Sequence, residues 1–468
     1  MNAFEDTLNR VVARRAGRAV VTRTSSAMSP DPAITIGIAT IKIVTEEHIQ
    51  AIAFGALDQD PQVVVRLDPI GRDVADLSPF ADFLNDAVDQ AVSAETPLRI
   101  WIPHEVALEA LDVLGHRYSN NPAAPAEIQR MGQTCRIIAK EATIPGQQLV
   151  ADATALLQDH CVTGMAPIEE GHLDAILAWL DPTVTEPLIE ARERIRLPAS
   201  GILPNTPDFP IDDRIDRLRK EAKNANGARR HALNAQITDT LRHWVLREWR
   251  LLVEGRRAFL GLGLSATGLG SLVEDSSKRV HYDLQRGFYP ARAPHRLAAE
   301  LGTLEAGRDK AELIALENDP TLREEATRAG GVVRGTITSV HQPRRSFKPC
   351  DIDVESGQNV IRFRLDDKIK IAGTTVKGVI RGIGRTSVGG TLISIEITEG
   401  VRQTGTLSVG AHVELLREAY AFVNHKALKE TRDRQPWIFY SAAAPTISPG
   451  LSSGQSALAI ARAARRQT

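Results

Sequence analysis

Two regions of the sequence are rich in cationic residues, whose side chains are suited to binding phosphates. In the first region, residues 214–257, twelve Lys and Arg stand against five Asp and Glu, with Trp244 and Trp249 between them. Such a helix face can neutralise phosphates, and aromatic rings can stack on bases. The pattern is equally typical of a solvated helix whose arginine stems cover apolar surface, and Trp244 fits its apolar stripe. The candidate nucleic-acid contacts of this region are Arg247 and Arg250.

The second cationic region is segment 341–349 together with a strand predicted after it. Arg362 and Arg364 are predicted to share one face of that strand, because side chains alternate along a strand. Small barrels bind single-stranded nucleic acids through such loops and faces, but they also serve as docking modules. The candidate contacts within the segment are Arg344, Arg345, Phe347 and Lys348.

Side chains suited to catalysis are sparse. Glu105 follows a predicted buried strand, whereas Asp58, Asp60 and Asp68 lie in predicted turns, where aspartate is common for conformational reasons. The three cysteines are far apart, and the sequence contains no zinc, EF-hand or nucleophile-elbow pattern. The sequence therefore predicts no catalytic residue, no metal and no cofactor.

The glycine-rich segment Gly261–Gly270 superficially resembles a phosphate-binding loop. A P-loop requires Lys followed by Ser or Thr after its last glycine, and here no lysine follows. The segment before it is also helical in pattern rather than a strand. We therefore interpret Gly261–Gly270 as a flexible junction between helices.

A mixed α/β domain is predicted over residues 33–145. The order β-β-β-α-β-α, followed by one more strand, matches the ribonuclease H-like fold. The chemistry of that fold uses metal ions held by carboxylates that begin on the first strand, and segment 34–43 has no Asp or Glu. The domain is thus predicted to be a degenerate version. Its predicted elements are strands Ile34–Val44, Gln50–Leu57, Gln62–Leu67 and Leu98–Ile102, helices from Ser78 and over Val106–Tyr118, and a last strand over Thr134–Ala139.

The remainder is predicted to be a helical domain, 146–330, and a small antiparallel β-barrel of OB type, 331–417. The helical domain contains a long helical stretch from Asp213 to about Leu260, broken near residues 224–227. Short strands separated by glycine-containing turns predict the barrel. The barrel strands are expected over Val332–Val340, Cys350–Val354, Val360–Arg364, Thr375–Ile383, Leu392–Thr398 and His412–Leu416.

Tails are predicted at both ends, over 1–32 and 418–468. Residues 24–32 have the small, polar, proline-containing composition of a linker. A net charge of −1 excludes attraction to nucleic acid by the whole molecule, and the absence of long apolar runs argues against membrane spans, so a cytoplasmic location is expected. The aromatic residues of the C-terminal tail are candidate partner contacts: Trp437, Phe439 and Tyr440.

The sequence resembles the non-motor regions of large nuclease–helicase proteins. The resemblance rests on residues 98–105 with 111–118, and on 331–340 with 392–398, and it covers about two thirds of the chain. In these proteins a degenerate ribonuclease H-like domain, a helical region and a small barrel accompany a helicase motor. This sequence has no motor motif, so the resemblance implies a separately encoded helicase or nuclease partner.

The predicted function is that of a non-catalytic, nucleic-acid-binding accessory subunit of a bacterial DNA- or RNA-processing complex, including antiviral defence systems. Two alternatives remain at this point. The first is a divergent metal-dependent nuclease that uses Glu105 or Asp68. The second is a purely structural subunit of an assembly.

Overall fold

The computed structural model describes residues 3–43, 48–71, 74–198, 200–286, 294–341, 351–386, 389–400 and 407–418. Its fold class is α+β, as predicted. The chain divides into two compact units, and every contact and site described below lies in the first, Met1–Phe288 with Leu304–Ala421.

The described helices are mostly short, with the exception of two long ones, α9 and α11. The helices are α1 (Ala3–Ala16), α2 (Ser78–Ser93), α3 (Glu105–Tyr118), α4 (Ala126–Ala142), α5 (Ala153–His160), α6 (Leu173–Leu180), α7 (Pro187–Arg194), α8 (Ile211–Asn224), α9 (Gly227–Gly261), α10 (Gly270–Arg286), α11 (Pro294–Asn318) and α12 (Pro320–Arg328).

The described strands form one open sheet, one barrel and one short pair. The strands are β1 (Val20–Val21), β2 (Ile34–Lys42), β3 (Ile49–Gly55), β4 (Gln62–Val65), β5 (Leu98–Ile102), β6 (Val150–Asp152), β7 (Cys161–Val162), β8 (Val332–His341), β9 (Asp351–Ser356), β10 (Lys368–Ile371), β11 (Lys377–Arg385), β12 (Thr391–Glu399) and β13 (His412–Arg417).

The open sheet has the strand order β4-β3-β2-β5-β6. Strands β2, β3 and β4 form an antiparallel meander, and β5 and β6 run parallel to β2. Short turns can join antiparallel strands, whereas each parallel connection requires a crossover, here through helices. The carboxyl ends of β2, β5 and β6 therefore lie at the same edge of the sheet.

Helices cover both faces of this sheet. On one face, α2, α3 and α4 bury Phe80, Leu84 and Leu111 against the strands. On the other face, α9 packs across β2 and β3, and its Trp249 and Leu252 are buried. A sheet covered on both faces needs strands that are apolar on both sides, and all seven residues of β3 are buried.

A close contact between α9 and the sheet lies at Gly37 of β2. A Cβ at this position would lie 2.6 Å from Leu57 Cδ2 and 2.8 Å from Trp249 Cη2. The indole of Trp249 thus occupies the space that a side chain on this strand would need. Only glycine lets the helix approach this closely.

The strand predicted over Thr134–Ala139 is wrong, because this segment lies within α4. The buried residues Ile128, Met131, Cys135 and Ile138 recur every three or four positions, which is the helical period. The last strand of the sheet is β6 instead. The break predicted near residues 224–227 is confirmed, since α8 ends at Asn224 and α9 begins at Gly227.

Residues 24–29, in the segment predicted as a linker, are fixed to the rest of the unit. The backbone N–H of Thr24 donates to the carboxylate of Asp319, and that of Ser26 donates to the carbonyl of Ser265, both at 2.7 Å. Ser29 donates to the side chain of Gln148 at 2.9 Å. Polar composition alone did not distinguish this anchored segment from a free one.

The C-terminal strands close into a six-stranded antiparallel barrel with the order β10-β11-β12-β9-β8-β13. The strand predicted over Val360–Arg364 is wrong: this segment is an extended connection, and β10 follows it. Phe363 alone of these five residues is buried, and it joins the barrel core. Apolar and charged residues do alternate in this segment, but it forms no ladder of backbone hydrogen bonds with a neighbouring strand.

We predict that Gly37→Ala destabilises the protein, because its Cβ would overlap Leu57 and Trp249 in a filled core. The expected loss in the free energy of unfolding is about 2 kcal/mol or more, measured by chemical denaturation. Gly270→Ala is the matched control, since no atom lies within 4 Å of the added Cβ. Equal stability of the two variants would contradict the packing described here.

Candidate nucleic-acid interface

Several predicted contact residues lie outside the described part of the chain. These are Arg344, Arg345, Phe347 and Lys348 of the first barrel loop, and Trp437, Phe439 and Tyr440 of the tail. Their assignments stay predictions. The structure describes the other four predicted contacts: Arg247, Arg250, Arg362 and Arg364.

Arg362 and Arg364 are both exposed, on either side of the buried Phe363. Their backbone is held by hydrogen bonds from Arg362 N to the Gly330 carbonyl and from Arg364 N to Asp367 Oδ2, both at 2.9 Å. Neither guanidinium pairs with a carboxylate among the described residues. The two cations therefore share an exposed surface, although the segment between them is not a strand.

Most other described cations of the barrel are neutralised by neighbouring carboxylates. Arg381, for example, pairs with Asp366 and Glu396 at 2.7 Å each. A paired arginine has less to gain from a phosphate, because it must first give up its carboxylate. The further paired cations are Arg334 with Glu324 and Glu414, Lys370 with Glu317, Lys377 with Glu399 and Glu418, and Arg417 with Asp367.

Arg247 points into the protein rather than toward solvent. Its side chain is 15% exposed and pairs with Asp174 at 2.6 Å and with Glu248 at 3.0 Å. Its guanidinium also lies 5.9 Å from the ring centre of Trp244. Glu248 is itself buried and accepts hydrogen bonds from Ser200 and from the N–H of Gly201. Arg247 is thus the cation of an internal network.

Arg250 is exposed and belongs to a larger set of exposed cations on α8 and α9. No member of this set forms an ion pair or side-chain hydrogen bond with any described residue. We call these eight residues the cationic set: Arg214, Arg217, Lys223, Arg229, Arg230, Arg242, Arg250 and Arg257.

Within the cationic set, Arg242, Arg250 and Arg257 follow one another along α9 at intervals of eight and seven residues. At a rise of about 1.5 Å per residue these intervals correspond to roughly 12 Å and 10 Å along the axis. The buried stripe of the same helix, which includes Leu241, Val245 and Leu252, faces the sheet. The helix therefore presents a basic side to solvent because its apolar side is fixed.

A second polar group of residues lies at the carboxyl ends of β5 and β6. His104 and Glu105 follow β5, and Asp152 ends β6, where its carboxylate accepts a backbone N–H at 3.0 Å. The hydroxyl of Thr154 joins the two ends by donating to the Pro103 carbonyl at 2.6 Å. In α/β sheets, the carboxyl ends of parallel strands are where ligands commonly bind.

Burial, with a smaller contribution from Glu105, raises the pKa of Asp152 to about 7. Burial also lowers the pKa of His104 and that of His172, whose charge would interact with His104. This group can therefore exchange a proton near neutral pH. Across the described ranges, no three His, Cys, Asp or Glu side chains gather closely enough to hold a metal ion.

No described helix has an apolar stretch long enough to cross a membrane.

Comparison of the chain with protein-family models, with curated proteins and with solved structures found no match in any of the three.

We predict that Arg247→Ala and Arg250→Ala have different effects on stability. Arg247→Ala leaves buried Glu248 without its cation, while Asp174 keeps its ion pair with Arg194, and the expected loss in the free energy of unfolding is about 3 kcal/mol. Arg250→Ala removes an exposed side chain and should change stability by less than about 0.5 kcal/mol. Denaturant titration of both variants tests this, and a neutral Arg247→Ala would contradict the internal network.

We predict that Asp152 makes stability fall as pH rises from roughly 4 to 7. The carboxyl ionises near pH 3.9 in the unfolded chain but at about 7 in the folded one, so unfolding releases a proton in this window. The slope contributed by this group is at most about 1.4 kcal/mol per pH unit. Asp152→Asn can retain the hydrogen bond to the backbone N–H and removes the titration.

The measurement is the difference in unfolding free energy between wild type and Asp152→Asn across this pH range. The unfolding free energy of Asp152→Asn should increase relative to that of the wild type as pH rises. A difference that stays constant with pH would rule out a raised pKa at Asp152.

Proposed function

We propose that this protein is a non-catalytic, nucleic-acid-binding accessory subunit of a bacterial DNA- or RNA-processing complex, in which a separately encoded helicase or nuclease supplies the motor or the cleavage. The observation that carries the proposal is the cationic set on α8 and α9. Eight exposed cations without a carboxylate partner among the described residues are available to phosphates.

Ion pairing, and not net charge, determines which cations of this protein are available to phosphates. The whole chain has a net charge of −1, so its total charge favours no polyanion. Ion pairs neutralise most described cations of the barrel and the internal Arg247, whereas the cationic set keeps its charge on one pair of helices. When such a surface neutralises phosphates, counterions condensed on the nucleic acid are released, and this release supplies most of the affinity of non-specific binding.

Two features of the fold support the proposal. The sheet order β4-β3-β2-β5-β6, with a meander followed by two parallel strands, is the order expected of a ribonuclease H-like domain. The closed antiparallel barrel is small, like the OB-type modules that bind single strands, although it has six strands and those modules have five. Such likenesses of architecture are analogies, and the residues carry the functional argument.

The open sheet also supports a non-catalytic role. Strand β2, which would carry the first metal-binding carboxylate of a ribonuclease H-like site, has no acidic residue. At Gly37 the space beside the strand is occupied by Leu57 and Trp249. Glu105 and Asp152 are then two carboxyls at the adjacent strand ends without a partner on β2.

The test is fluorescence anisotropy with labelled single-stranded DNA, duplex DNA and RNA over a salt series. The variant changes Arg242, Arg250 and Arg257 to Ala together. If each contacts a phosphate, the slope of log K against log salt should fall by about two, since each contact contributes roughly 0.7–0.9. Affinity at low salt should fall for all sequences alike.

A triple variant with the same change in charge is the matched control. Arg130, Arg196 and Lys278 are exposed but paired with Asp89, Glu193 and Glu274, so their replacement by Ala should leave the slope unchanged. Equal slopes for both triple variants would reject the cationic set as the interface. No binding at low salt by folded protein would reject the function.

A double variant, Arg362→Ala with Arg364→Ala, reports on the barrel in the same series. A reduced slope would add the barrel surface to the interface. An unchanged slope would confine binding to α8 and α9.

A further inference from the structure

A cavity of about 480 Å³ lies within the first unit, separate from the cationic set. Its walls are residues 23–28, the loop 142–147 after α4, residues 267–272 at the start of α10, and residues 308–318 of α11. No member of the cationic set lines it. Cavities of roughly 300–1,000 Å³ are the usual size of sites for small organic ligands.

The wall formed by the N-terminal segment is held in place by hydrogen bonds. Asp319 accepts from the N–H groups of Thr24, Ser25, Thr321 and Leu322, and is itself fully buried. Burial opposes ionisation of Asp319, but these four donors outweigh it and hold its pKa below the ordinary value. The carboxylate thus ties residues 24–25 to the first turn of α12.

The glycine-rich segment forms a second wall. Ser265 is hydrogen-bonded to both neighbours of Ser25, donating to the Thr24 carbonyl at 3.0 Å and accepting from Ser26 N at 2.7 Å. Gly268 has a positive φ of 79°, and a Cβ there would lie 2.9 Å from Asn318 Nδ2. This glycine therefore lets the segment approach α11 and close one side of the cavity.

The lining combines an apolar floor with one half-buried charge. Met28, Ile144, Leu269 and Leu272 are buried and contribute apolar surface. Arg23 is half-buried, and it has no ion pair or side-chain hydrogen bond with any described residue. The other charged lining residues are exposed, namely Arg308, which pairs with Asp309, and Glu312.

We propose that this cavity binds a small organic anion with an apolar body, whose anionic group is held by Arg23. A guanidinium removed partly from water without a counterion is unfavourable, and a carboxylate, sulfonate or phosphate would supply paired, charge-assisted hydrogen bonds. The apolar floor would take the body of the ligand. This site is independent of the proposed nucleic-acid binding, since the two share no residue.

The test compares two fluorescent probes with the same aromatic body. Anilinonaphthalenesulfonate carries an anionic sulfonate, whereas phenylnaphthylamine is uncharged. The full-length protein should bind one anilinonaphthalenesulfonate with higher affinity than phenylnaphthylamine. Arg23→Gln should weaken the anionic probe by about tenfold or more, as expected for a lost charge-assisted hydrogen bond, and leave the neutral probe within about twofold.

Two further variants fix the location of the probe. Ala315→Phe places a ring in the cavity from α11 and should weaken both probes, with circular dichroism and the melting temperature reporting on the fold. Arg18→Gln, which removes an exposed cation outside the lining, should change neither affinity. Unchanged binding of the anionic probe to Arg23→Gln, or the absence of a stoichiometric site in the wild type, would overturn the proposal.

Discussion

The packing of α9 across the open sheet is the contact on which the arrangement of this protein depends. The helix spans 35 residues, about 50 Å, and its apolar stripe covers β2 and β3. The contact is close because Gly37 has no side chain and Trp249 fills the space. Once the apolar stripe is fixed, the opposite side of the helix must face solvent, and this side carries Arg242, Arg250 and Arg257.

The same contact separates arginines that are close in sequence into different roles. Arg247 and Arg250 are three residues apart, but the first lies beside Asp174 and Glu248 and the second is exposed. Ion pairing makes the corresponding distinction in the barrel, where Arg381 is neutralised while Arg362 and Arg364 have no described carboxylate partner. A count of charges along the chain combines these groups, although their capacity to contact a phosphate differs.

Loops that look featureless in sequence also acquire defined positions. Residues 24–26 and the glycine-rich segment near Ser265 are joined by backbone hydrogen bonds, and Asp319, which lies between α11 and α12, anchors the first of them. Together with α11 they line a cavity in which Arg23 is the half-buried charge. Residues almost 300 positions apart thus form one site, and no local pattern links them.

Local periodicity determined much of the secondary structure: the meander β2–β4, the break between α8 and α9, and most barrel strands follow patterns visible over ten or fewer residues. Predictions from local periodicity were wrong where the conformation preferred by a segment differs from the one that its tertiary contacts stabilise. The β-branched residues around Ile137 lie in α4 because one side of that helix is buried, and Val360–Arg364 alternates but lacks a neighbouring strand to pair with. The residue types alone also establish which cations exist and that β2 carries no carboxylate. Folding establishes which cations are neutralised, that Trp249 fills the space at Gly37, and that Arg23 faces a cavity, because each of these depends on contacts between segments far apart in the chain.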